Sequence, residues 1–147
     1  MSMKNIYAVL ILVLGGILPG AAGAQNLTGQ AVSVHDSAGT ERQTFSNAET
    51  ITLRQKVTNS VTSSNPIAFT FKVLSPAGAV LFSHSGNSAP GTAGTAQTQL
   101  AGISINSFYT APGNYTFTGT AALDGETVTK SASFLISSPN ITLIYPP

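Results

Sequence analysis

Nucleophilic hydrolysis would need a serine, a base and an orienting acid, and the chain offers His35, His84 and five carboxylates, Asp36, Glu41, Glu49, Asp124 and Glu126. None of its serines stands in the G-x-S-x-G turn that exposes such a nucleophile. His84 sits in Ser83-His84-Ser85, at the end of one strand pattern and beside a polar loop, and reads as a solvated side chain. His35 and Asp36 are neighbours at a strand end and point to opposite faces. A calcium loop needs several oxygen ligands at D-x-[DN]-x-[DN]-G spacing. Asp124-Gly125-Glu126 supplies two carboxylates around a dipeptide that, between two alternating runs, reads as a hairpin turn. There is no cysteine, so disulfides and thiolate metal sites are excluded. No catalytic residue, cofactor or metal site is expected, and the chain is read as non-enzymatic.

Three patterns could instead make contacts. Asn26, Asn114 and Asn140 each begin an N-x-T triplet, a glycan acceptor in a eukaryotic secretory pathway and incidental in the bacterial type of chain that the compact N-terminus and sparse lysine suggest. Thr116, Thr118 and Thr120 face Thr127, Thr129, Ser131 and Ser133 across the turn, a flat hydroxyl-rich face on which a sugar or ice could lie. Threonine is also the favoured residue on the wet side of a strand, and both readings stand. Finally, Ile141, Leu143 and Tyr145 share one side of the terminal stretch with Ile144 on the other, after a break at Pro139. This tail is a candidate partner-binding segment, expected either to fold along an edge of its own sheet or to add to the edge of a neighbouring molecule.

The elements that must position these residues are strands. Tyr109 to Phe134 organises the chain. Pro112-Gly113 sets a turn, Tyr115, Phe117, Gly119 and Ala121 alternate with threonines, Asp124-Gly125 reverses the chain, and Val128, Ala132 and Phe134 return with Lys130 breaking the inward row. Upstream, Ile51, Leu53 and Val57 alternate with Thr52, Arg54, Lys56 and Thr58, interrupted only by Gln55, so Arg54 and Lys56 face away from the core. Ile67, Phe69, Phe71 and Val73 form the most apolar inward row, followed by the turn Ser75-Pro76-Ala77-Gly78 and a returning strand over 79–84. A first short strand is expected over 31–35 after a loose 25–30, with a loop over 36–42 and Phe45 as a plug beyond it. Residues 85–95, rich in Gly, Ser and Ala, predict a mobile loop. Residues 96–105 predict a strand with a bulge or bend near Gly102.

Residues 1–24 read as a secretory signal: Lys4, an apolar run Ile6–Leu18, the break Pro19-Gly20 and the small residues Ala22-Gly23-Ala24 before Gln25. The run falls short of the about 20 residues that span a bilayer, so no membrane insertion is expected after cleavage. Without Lys4 the basic residues are Arg42, Arg54, Lys56, Lys72 and Lys130, matching the five carboxylates. That balance offers no footprint for nucleic acid. Charged residues make up only 7% of the chain, a surface that suits an exported protein and does little to oppose self-association.

Strands recurring with turn signals every 8 to 12 residues predict an antiparallel β-sandwich of about seven strands. P-G-N-Y-T-F-T followed by an Asp-Gly hairpin resembles the last two strands of bacterial immunoglobulin-like and fibronectin-III-like extracellular domains. The length suits one domain, read over 25–147 with a short C-terminal tail over 137–147, and the resemblance implies a structural corner at Pro112, Gly113 and Tyr115, in which the tyrosine hydroxyl bonds upstream backbone. The chain lacks the tryptophan and cysteine pair of antibody domains. Function varies widely on this architecture. The expectation is a binding or structural module, secreted, periplasmic or at the cell surface. Its partner would be a protein or a second copy met through sheet edges, and a carbohydrate stays compatible with the hydroxyl face. The alternative is a periplasmic accessory protein that binds a soluble ligand or partner.

Overall fold

Inward rows of branched and aromatic residues, with little charge between them, dictate sheets that must bury one face each. The computed structural model describes residues 26–90 and 93–138. The proposed signal segment and the candidate tail residues Ile141, Leu143, Ile144 and Tyr145 lie outside them. Among the described residues the protein is all-β, eight strands in two facing sheets. The smaller sheet joins β1 (Leu27–Asp36), β3 (Thr50–Asn59) and β6 (Gly94–Ser104) in the order β1-β3-β6. The larger joins β2 (Thr44–Ser46), β4 (Pro66–Leu74), β5 (Val80–Pro90), β7 (Gly113–Leu123) and β8 (Glu126–Ser137) in the order β2-β8-β7-β4-β5. Every pairing is antiparallel except β2 with β8. Among the described residues no helix is long and apolar enough to cross a membrane.

The core lies between the sheets and follows the inward rows. Ile67, Phe69, Phe71 and Val73 of β4 are buried, as are Tyr115, Phe117 and Ala121 of β7 and Ile51, Leu53 and Val57 of β3. Phe71 meets Phe117 edge to face with ring centroids 5.3 Å apart, the geometry that ring quadrupoles favour. The β7–β8 hairpin closes through Asp124-Gly125, both with positive φ (50° and 85°), the type I′ geometry that matches strand twist. The bend near Gly102 is a register shift: pairing moves from Ile51↔Ile103 to Leu53↔Leu100, and Gly102 takes φ 75°.

Four expectations need correction. β1 begins at Leu27 rather than Ala31, because Leu27 is fully buried and pairs with Asn59; a register shift between Gly29 and Ala31 hides the alternation. Residues 85–90 are strand rather than loop, since Ser85, Gly86 and Asn87 pair with Thr70, Phe69 and Ala68 through backbone that needs no large side chain. The same holds of 94–95, which pair with Asn59 and Thr58. Phe45 is buried as expected, but it belongs to a short strand beside Ile136 rather than a free plug, which brings the expected about seven strands to eight.

Candidate functional site

The predicted corner is built by the chain reversal between the sheets. A 3-10 turn (Ile105–Ser107) buries Ile105 and leads Phe108 under Tyr115, their ring centroids 6.1 Å apart. The Tyr115 hydroxyl donates to the Ala111 carbonyl at 2.7 Å and accepts from the Thr110 and Ala111 N–H groups at 3.1 and 3.2 Å. Burial pushes its pKa up, yet the hydrogen bonds from Thr110 and Ala111 outweigh that and hold it below the ordinary value. Gly113, at φ 152°, could not carry a side chain, since a Cβ would come within 2.8 Å of Pro76. Pro112 is exposed at the head of this turn. The corner is scaffold.

The hydroxyl face is real and wider than the hairpin. On the outside of the larger sheet, register aligns Thr129, Thr120, Thr70 and Ser85 across four strands, and Ser131, Thr118, Lys72 and Ser83 in the next row. Within these rows the hydroxyls pair: Thr120 with Thr129 at 3.1 Å, Thr118 with Ser131 at 3.0 Å, and Thr70 with Ser85 at 3.0 Å. Thr116 continues the face opposite Ser133, and Thr127 sits opposite Ala122. Each paired hydroxyl retains acceptor capacity, so the face can still take donors from a ligand.

Two concave sites were not foreseen. On the outside of the smaller sheet a groove of about 310 Å³ is lined by Ser33 and His35 of β1, Arg54 and Lys56 of β3, Gln97 of β6, and Glu41. Register creates it, placing Ser33 opposite Arg54 and Lys56 opposite Gln97. His35 Nδ1 lies 3.0 Å from the Gly39 carbonyl, which only accepts, so that nitrogen carries the proton; in the neutral ring Nε2 then accepts from Ser33 Oγ at 2.8 Å. Arg54 is held by its Nε donating to Gln99 Oε1 at 3.1 Å. The outward placing of Arg54 and Lys56 was readable in sequence; the β1 and β6 residues that complete the groove were not. A smaller crevice of about 180 Å³ opens between the β5 and β6 edges, floored by Phe69, Phe71 and Leu100 and rimmed by His84, Asn87 and Gln99. His84, exposed, stands opposite Phe71 on β4.

Asp36, Glu49 and Asp124 are tied into turns and strand ends. Asp36 accepts from the Ala38 and Thr40 N–H groups, Glu49 accepts from Ser46 N–H, and Arg42 lies 2.7 Å from Glu49 and 3.7 Å from Asp36. The Thr40 N–H for Asp36, and the Ser46 N–H for Glu49, chiefly hold these groups below ordinary carboxylate values, with Arg42 adding to both. Asp124 is lowered by hydrogen bonds from Asn65, 2.6 Å away, and Ser63, which tie the hairpin turn to the β3–β4 loop. Among the described residues no group of three or more His, Cys, Asp or Glu is placed to hold a metal ion.

No family model and no curated protein sequence matches the chain. Solved structures do resemble it in fold. The crystal structure of the C-terminal domain of Wzt superimposes with a TM-score of 0.51 at 10% sequence identity, covering 85% of this chain and 84% of that one. At that identity the likeness speaks to the fold alone.

Proposed function

We propose that the protein is an exported, non-enzymatic immunoglobulin-like module that works at the cell surface or outside the cell by pairing its sheet edges with a protein partner or a second copy. Three features support the immunoglobulin-like reading: the strand order β1-β3-β6 facing β2-β8-β7-β4-β5, the parallel β2–β8 pair, and the Tyr115 hydroxyl bonded to Ala111. The observation that carries edge pairing is β5. It is an 11-residue edge strand without Lys, Arg, Asp or Glu, the residues that usually discourage addition of another strand. Its backbone would supply affinity and its alternating side chains register. The apolar tail over 140–145 has the composition of such an added strand. The test is sedimentation velocity of the exported protein beside Ser83→Lys/Ser85→Lys and a chain ending at Ser137. Oligomers in the parent that dissociate in the lysine variant support the proposal; a parent that stays monomeric at high concentration and gains nothing from a partner's edge peptide rejects it. A second reading, an accessory protein binding a soluble ligand, is favoured by the groove on the smaller sheet.

A further inference from the structure

The groove combines two cations with fixed polar groups, and the charges on it are not balanced. Arg54 and Lys56 are two residues apart on one face of β3, so their side chains emerge about 7 Å from each other. Arg42 is ion-paired with Asp36 and Glu49, whereas neither Arg54 nor Lys56 has a carboxylate within ion-pair distance among the described residues. Two like charges side by side repel, and an anion lying between them removes that repulsion. The Arg54 guanidinium is pre-set by Gln99, which uses Nε and leaves the two terminal nitrogens as a fork for a carboxylate. His35 and Ser33 are locked to each other and to Gly39, so that wall needs no ordering when a ligand binds. Gln97 offers a donor and an acceptor, and Glu41 only accepts. Glu41 would repel a compact dianion such as phosphate but would accept from a hydroxyl.

We infer that this groove binds a hydroxylated carboxylate, a uronic acid either free or as a unit of an acidic glycan. The carboxylate lies between Arg54 and Lys56, and ring hydroxyls face Gln97 and Glu41. The site is on the outside of the smaller sheet, away from the β5 edge, so it stands or falls independently of edge pairing. The experiment titrates the exported protein with galacturonic acid, trigalacturonate, its methyl ester and inorganic phosphate, followed by amide NMR shifts and calorimetry. Saturable binding of the acid, absent for the ester and centred on β1 and β3 amides, is expected, with the trimer separating a glycan site from one for the free sugar. Arg54→Gln should weaken it about tenfold or more, as loss of a charge-assisted contact does, and Lys56→Gln severalfold. Lys56 is exposed, so that variant keeps the test open if Arg54→Gln fails to fold. No saturable binding of either acid, equal binding of the ester or of phosphate, or undiminished binding in both variants would overturn the inference.

Discussion

Replacing Gln55 with methionine should make the protein more stable. Gln55 stands in the inward row of β3 between Leu53 and Val57, is 1% exposed, and neither its Oε1 nor its Nε2 has a hydrogen-bond partner. Its amide lies over Gly119 of β7, where a Cβ would come 2.7 Å from Oε1 and 2.8 Å from Val32 Cγ1. An amide buried without compensation costs about 1 to 3 kcal/mol. Methionine has a similar length and volume and no such groups, so Gln55→Met should recover most of that cost. For a domain of this size the melting temperature should rise by roughly 3 to 6 °C per kcal/mol. Gly119→Ala should do the opposite, costing about 1 to 3 kcal/mol by overpacking the same spot. Combining Gly119→Ala with Gln55→Val should cost less than the sum of the two, because valine vacates the space that the new methyl needs. Urea melts of these variants and of Gln55→Val alone, with unchanged m-values, give the four numbers. A lower midpoint for Gln55→Met would show instead that the amide is satisfied and contributes to stability.

Phe71→Ala and Phe117→Ala should each cost about 3 to 5 kcal/mol in denaturant melts, because each ring is buried and faces the other. Tyr115→Phe should cost about 1 to 2 kcal/mol, the loss of the corner hydrogen bonds with the ring's packing kept. For Asp36 and Glu49 the folded pKa lies below the ordinary values of 3.8 and 4.5, so their contribution is full above those values and is lost as pH falls through the lower folded pKa. Melting temperature should therefore drop from about pH 5 downward, and Glu49→Gln should make the drop shallower.

The strand pattern was legible where apolar residues dominated an inward row. β3, β4, β7 and β8 follow their alternation, the Asp124-Gly125 turn sits where two alternating runs meet, and Gly102 marks a bulge because the apolar phase slips there. What the sequence hid depends on partners rather than on local pattern. β2 is three residues long and exists because Phe45 and its neighbours lie parallel to the far end of β8. β5 continues to Pro90 on backbone pairing and on hydroxyl bonds of Ser85 and Ser88 to β4, with side chains too small to show a periodicity. The hydroxyl face could be read along the hairpin, but its extension to Thr70 and Ser85 needed the sheet order. The groove gathers Ser33, Arg54 and Gln97 from three strands distant in sequence, and only the register brings them together.

Edge pairing through β5 is tested most directly by hydrogen exchange of the amides of residues 81–88 in the purified protein, measured at a low and a high protein concentration. Protection of the outward-facing amides of β5 should rise with concentration, while amides of β4 and β7 stay protected at both. Protection of β5 that does not change with concentration, or with an added edge-forming partner, would contradict edge pairing.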